Sequence, residues 1–420
     1  MFKECILDNN LTVVYERLSH LKSVAFGVWI GTGSRYETLG QNGISHFIEH
    51  MVFKGTQKRS ARDIACDIDE VGGQINAFTG KDCTCFYTKT LDSDLEIAAN
   101  VLSDMLLHSV FDPVHIETEK KVVMEEINMY EDDPEELVHD LMTGEIWSEG
   151  PLGYPILGTE ESLHNITRES ITEYMSRFYT PDNCIIAVVG NFEEANLLDT
   201  INKYFGSWKP LHYSPVSAER PVFKKNFLYK EKDTEQTHLC FGFNGLPMAD
   251  GRVYPLMILN NIIGGGISSR LFQSIREEAG LVYSIYSFPS CFRDCGMFTI
   301  YAAASHDNCR RVIEQVDAEL RSILKKGITQ EEFLRSKKQL KGNFILGLDS
   351  TASRMNAIGK SKLITGYVHT PNQVLKQIED AKAEDVMELA AWMFTGDNAA
   401  ITILGNTKID PDAIKQFLTE

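Results

Sequence analysis

Tyr179-Thr180-Pro181-Asp182-Asn183 runs into the apolar stretch 184–189 and closes on Gly190-Asn191. Phe394-Thr395-Gly396-Asp397-Asn398 runs in the same way into 399–404 and closes on Gly405-Asn406, 215 positions later (394 minus 179). A second match, Ala25-Phe26-Gly27 with Cys240-Phe241-Gly242, stands at the same offset near the start of each half. Two matches far apart in the chain and at one spacing mean that a single unit of about 200 residues occurs twice, as a tandem pair and not as a solenoid.

Outward from these matches, residues 206–227 carry Pro210, Pro215 and Pro221, a composition suited to an extended connection. The expected division is a first domain over 1–208, a connection over 209–228 and a homologous second domain over 229–420. The β-branched and apolar runs 11–14 and 84–88 read as strands, and the longer patterned segments 94–108 and 117–130 read as helices. Since both kinds of element recur, the expected class is α+β, with each half a mainly antiparallel sheet packed with helices. A chain of 420 residues is long enough to bury two cores.

Composition narrows the function classes. With 43% hydrophobic and 24% charged residues, 30 Gly and 13 Pro, the chain is ordinary globular protein, which excludes collagen-like and low-complexity readings. Lys and Arg total 41 against 59 Asp and Glu, and a net charge of -18 argues against nucleic acid as a partner while favouring basic peptides. No apolar run approaches the ~20 residues of a spanning helix. The opening Met1-Phe2-Lys3-Glu4-Cys5-Ile6-Leu7-Asp8 carries charge where an export signal is apolar, so neither a membrane partner nor export is expected. Nine scattered cysteines, an odd number, fit reduced thiols and a cytoplasmic location. Cys83-x-Cys85 and the Cys291/Cys295 pair lack a second Cys or His pair at zinc-site spacing.

His46-Phe47-Ile48-Glu49-His50 carries the chemistry. On a helix, residues four apart share a face, so His46 and His50 can hold one Zn²⁺ with Glu49 beside the open coordination position. This is the inverted H-x-x-E-H order of a zinc peptidase, in which the carboxylate takes a proton as water attacks a carbonyl. Catalytic zinc normally takes three protein ligands. The helix expected at 117–130 offers Glu117, Glu119, Glu125 and Glu126, among which Glu119 and Glu126 are seven apart and share a face. One of that pair can ligate while the other stands behind it.

On these residues the chain resembles the pitrilysin/insulinase family of zinc peptidases, and most closely its half-length members, the mitochondrial processing peptidase subunits and their bacterial relatives. The resemblance implies a third zinc ligand at Glu126, a supporting Glu at Glu119 and a substrate-binding edge strand at Gly72-Gly73-Gln74-Ile75-Asn76-Ala77-Phe78-Thr79. There Asn76, Ala77 and Phe78 would receive an extended peptide by strand addition. Asn9-Asn10 departs from the Asn-Gly that relatives often carry, but Asn also tolerates positive φ.

The second copy lacks the metal motif. Aligning Gly43-Ile44-Ser45 with Gly266-Ile267-Ser268 sets Ser269, Phe272 and Gln273 opposite His46, Glu49 and His50, and these side chains make no equivalent site. The glycines 264–266 lack the G-K-[ST] of a phosphate loop. The resemblance implies that Arg276 and Tyr283 reach the substrate carbonyl and stabilise its developing negative charge. It also implies a homodimer, because a half-length chain with one metal-bearing copy obtains the Arg/Tyr pair from a second molecule, around an enclosed chamber. The resulting expectation is a zinc metalloendopeptidase acting on peptides or unfolded segments. The alternative is a non-proteolytic scaffold subunit of the same fold.

Overall fold

The structure, a computed structural model, describes residues 2–209, 220–407 and 417. Half of the connection expected at 209–228, including Pro210 and Pro215, lies outside them.

The first unit is built on a six-stranded sheet: β1 (Lys3–Ile6), β2 (Thr12–Arg17), β3 (Ser23–Ile30), β4 (Gln74–Thr79), β5 (Thr84–Leu91) and β6 (Cys184–Gly190). The order is β1-β2-β6-β3-β5-β4, and every pair is antiparallel except β2 with β6. The central strands carry no polar side chain over 24–30 of β3 and 184–190 of β6, and every residue there is buried, as covering on both faces requires. Strand β4 stands at the edge and alternates exposed and half-buried residues from Gln74 to Thr79, the period-two pattern of a strand with one face covered. Asn10, in the turn between β1 and β2, has φ of 67°, the conformation that Asn tolerates.

Helices α1 (Ile44–Met51), α2 (Ala61–Asp69), α3 (Leu95–His108) and α4 (Pro113–Asp132) follow from their apolar spacing. In α1, Ile44, Phe47, Ile48 and Met51 are fully buried and join one core with Phe26, Val28 and Ile30 of β3 and Leu102 and Met105 of α3. Ser60 starts α2 with a reciprocal capping box to Asp63.

The second unit repeats the plan with β7 (Phe227–Lys230), β8 (Thr237–Asn244), β9 (Val282–Cys291), β10 (Gly296–Ala304) and β11 (Ala399–Leu404). Their order, β7-β11-β8-β10-β9, again has one parallel pair, β7 with β11, among antiparallel neighbours. It matches β2-β6-β3-β5-β4 strand for strand, so the two sequence matches mark the same two strands in each copy. The α+β class with a mainly antiparallel sheet in each copy is therefore the observed one.

The compact units differ from the contiguous division in one respect. The first comprises 1–128, 154–219 and 346–370, and the second 129–153, 220–345 and 371–420. Helix α5 (Pro134–Ile146) leaves the first half of the sequence to lie on the second sheet, where Val138, Met142 and Ile146 pack with Cys240, Tyr301 and Ala400. Conversely the helix Thr351–Thr365 leaves the second half to lie on the first sheet, packing Met355 and Ile358 with Ala25, Trp29 and Ala187. The repeated Phe-Gly now has a physical reason. A Cβ on Gly27 would lie 2.4 Å from Met355 Sδ, and one on Gly242 2.7 Å from Ile146 Cδ1 and 2.9 Å from Met142 Sδ. Each glycine is the place where an exchanged helix presses onto its sheet. A part-buried ion pair, Arg354 with Glu16 at 2.6 Å, fixes the helix Thr351–Thr365 to β2.

Candidate metal centre

Helix α1 begins where Gly43 turns the chain with φ of 88°, at a point where a Cβ would lie 2.5 Å from the Leu157 carbonyl. Its first N–H groups are satisfied by a buried carboxylate: Glu37 accepts from Gly43 N at 2.7 Å, from Ser45 N at 2.8 Å and from Asn42 Nδ2 at 3.0 Å. Burial raises the Glu37 pKa although these bonds oppose it. The start of the helix is thus held by a residue outside it. Nothing in the H-x-x-E-H spacing pointed to Glu37, because its role depends on a loop folding back.

His46 and His50 lie one turn apart with ring centroids 4.6 Å from each other. On α4 the buried face is Ile116, Glu119 and Val123, with Glu126 half-buried one turn further on, while Glu117 and Glu125 are exposed. Glu126 Oε2 comes within 3.7 Å of His46 Nε2 and 3.5 Å of His50 Nε2. The three ligand atoms lie within 4.8 Å of one another, the one group of its kind among the described residues.

The surroundings suit a metal. His50 Nδ1 bonds Glu119 Oε1 at 2.8 Å, which leaves Nε2 facing the other two donors. Glu119 Oε2 in turn meets Lys54 Nζ at 2.6 Å. Glu119 is itself buried, which raises its pKa, but the bonds from His50 and Lys54 outweigh burial and hold it low and ionised. His46 is pushed down to about 3, first by burial and then by His50, so it is neutral and its lone pair is available. For His50 burial acts downward, yet the bond to Glu119 and the charges of Glu126, Glu119 and Glu49 raise it. Among the described residues His46 Nδ1 is buried with no hydrogen-bond partner, while its Nε2 is the nitrogen that faces Glu126. Two imidazole nitrogens and one carboxylate oxygen are a donor set that fits zinc with an open fourth position.

Glu49 lies on the same helix. It receives a hydrogen bond of 2.6 Å from Thr79 Oγ1 at the end of β4. Its pKa is raised, mainly by burial and also by Glu126, against the opposing effects of Thr79 and His50. On β4, the Ala77 N–H donates to Asn76 Oδ1 at 2.8 Å, and the Phe78 ring stands edge-on to Trp29 at 5.5 Å. The first unit therefore brings together His46, Glu49, His50, Glu119 and Glu126, with the edge strand of Asn76, Ala77 and Phe78 attached through Thr79.

Arg276 and Tyr283 belong to the second unit. Arg276 lies in the helical turn Phe272–Glu278 with its guanidinium 4.6 Å from the Phe272 ring centre, and Tyr283, near the start of β9, is 76% exposed. The expected functional residues did not include Glu37 or Lys54, and Thr79 entered only as the end of the edge strand, without a role of its own. Lys54 had a signal, four positions beyond His50, and Thr79 another, two positions beyond Ala77 and so on the same face of the strand.

Comparison with known proteins identifies the family. Residues 12–160 match the model of the insulinase family (peptidase family M16), and residues 165–340 match the peptidase M16 inactive domain. The uncharacterized zinc protease YmxG of Bacillus subtilis (strain 168) is 44% identical, over 96% of this chain and 98% of its own length. An uncharacterized zinc protease of Rickettsia felis is 35% identical over 98% of both chains. Among solved structures, a protease from Helicobacter pylori shares the fold with a TM-score of 0.91 at 22% identity, over 96% of this chain and 99% of that one. Identity of 35% and 44% to relatives matched along nearly their whole length, with family models matching both copies, shows that the chain belongs to the insulinase family of peptidases, family M16.

Proposed function

We propose that the chain is a zinc-dependent endopeptidase that hydrolyses peptides or unfolded segments bound as an extended strand. The convergence of His46 Nε2, His50 Nε2 and Glu126 Oε2, with Glu49 on the same helix, carries the reading. Zinc held there lowers the pKa of water and polarises a carbonyl. Glu49 accepts the proton of the attacking water and delivers it to the leaving amine. Burial raises its pKa, the direction that helps one carboxylate both take and return a proton. Glu119 and Lys54 keep His50 in the tautomer that turns Nε2 toward the metal. The free edge of β4 adds a substrate strand, with Asn76, Ala77 and Phe78 as the contacts. The net charge of -18 favours basic peptides.

We further propose that the active unit is a homodimer enclosing a chamber, in which Arg276 and Tyr283 of one chain serve the metal centre of the other. The family resemblance and the exposure of Tyr283 support this.

Glu49→Gln tests the reading. The variant retains zinc but loses at least about 100-fold in hydrolysis of a peptide that the zinc-loaded wild type cleaves. Equal turnover removes Glu49 from the mechanism, and an inactive zinc-loaded wild type favours the scaffold alternative. Mixing Glu49→Gln with Arg276→Ala chains restores activity if sites are completed between molecules. No recovery despite demonstrated subunit exchange contradicts the paired arrangement.

A further inference from the structure

We infer that Thr79 is a positioning residue for hydrolysis, tying the carboxylate that takes the proton to the strand that receives the peptide. The inference rests on the peptidase reading above and adds a residue to it.

Glu49 and Thr79 come from different elements and are separated by 30 positions. Thr79 is the last residue of β4, paired across the ladder with Thr84. The period of two turns its side chain to the face shared with Ile75 and Ala77, the face on which α1 lies. The Thr79 hydroxyl donates to Glu49 Oε2 at 2.6 Å, the one side-chain hydrogen bond that Glu49 receives among the described residues. One carboxylate oxygen is thereby engaged and the other, Oε1, is left to take a proton.

The choice of Thr has consequences. A glutamate has three side-chain torsions and retains rotational freedom on a helix unless something holds its end. A β-branched hydroxyl on a sheet strand is stiff about χ1, so it offers a fixed point where a longer polar side chain would not. Holding a reacting group within a few tenths of an ångström is worth a large factor in rate, and a displacement of about 1 Å costs on the order of 100-fold. Because Thr79 lies in the same six-residue strand as Asn76 and Ala77, a peptide added to that edge fixes the backbone from which the hydroxyl projects. Peptide capture and alignment of the proton acceptor then share one rigid support.

Thr79→Val keeps the shape and removes the hydroxyl, and Thr79→Ser keeps the hydroxyl. In the zinc-loaded full chain, Thr79→Val should lower kcat about 10-fold or more, with KM within about twofold and zinc content unchanged. Thr79→Ser should recover most of the loss. The double variant Thr79→Val/Glu49→Gln should be no slower than Glu49→Gln alone, because the hydroxyl acts only through that carboxylate. Crystal structures give a second readout independent of turnover: the Glu49 carboxylate leaves its position or takes several rotamers in Thr79→Val and keeps its place in Thr79→Ser. An unchanged kcat in Thr79→Val, a loss that Ser does not restore, a further loss on top of Glu49→Gln, or an unmoved carboxylate would each overturn the inference. An inactive zinc-loaded wild type is a different failure, that of the peptidase reading, and the crystallographic comparison still decides the role of Thr79.

Discussion

Among individual residues, the division of labour on α4 follows from a difference of one position. Glu126 and Glu125 have the same chemistry, but Glu126 turns toward the two imidazoles while Glu125 is exposed. Removing the Glu126 charge deletes a donor, whereas removing that of Glu125 alters only a solvated face. Glu126→Gln should therefore lose most bound zinc on dialysis, with Glu125→Gln indistinguishable from wild type, and metal analysis of the dialysed chains checks the order. Glu119→Gln belongs between them, with zinc affinity lowered about 10- to 100-fold, the range for a partner standing behind a ligand. The histidines and Glu49 were legible because helix geometry converts a five-residue spacing into a face. The residue spacing alone left Glu119 and Glu126 open, since a carboxylate-rich helix is equally a solvated surface until something packs on it. Glu37 could not be read, because a carboxylate acquires its meaning from the N–H groups a folded loop brings to it.

Among elements, strands and helices were legible from their periods: β2, β5, α3 and α4 stand where their apolar patterns put them. The exchange of helices between copies was not. An apolar stripe on a helix says that it is covered and does not say by which sheet. The glycines hold the missing information. A Cβ on Gly359 would lie 2.3 Å from Trp29 Nε1, and Trp29 is fully buried in the sheet and has no room to yield. Gly359→Val should therefore destabilise the protein by about 1–3 kcal/mol, the usual cost of overpacking, although the residue lies far along the chain from the rest of the first unit. Gly342, in the helix Gln330–Gly347, has nothing within reach of an added Cβ, and Gly342→Ala should raise stability by about 0.5–1 kcal/mol through helix propensity. Thermal unfolding of the two variants measures both. An unchanged midpoint for Gly359→Val would mean that the helix Thr351–Thr365 is not pressed against the sheet.

For the whole molecule, duplication sets the architecture and divergence sets the function. Both copies keep one strand order with a single parallel pair, and both keep a glycine beneath an exchanged helix. The duplication was legible because strands with the same neighbours retain similar residues, whereas the unit boundaries were obscured by two helices that cross them. None of the nine cysteines forms a disulfide, and no described helix is long and apolar enough to cross a membrane. What distinguishes the first copy is one cluster, His46, His50 and Glu126, and the proposed activity depends on it. The most direct measurement is peptide hydrolysis by the chain stripped of metal with a chelator and then supplied with one equivalent of zinc, for wild type and His50→Ala side by side. The account predicts that the stripped wild type is inactive and regains its activity with zinc, while His50→Ala neither binds the added metal tightly nor recovers. Full activity of the stripped wild type, or equal recovery by His50→Ala, would contradict it.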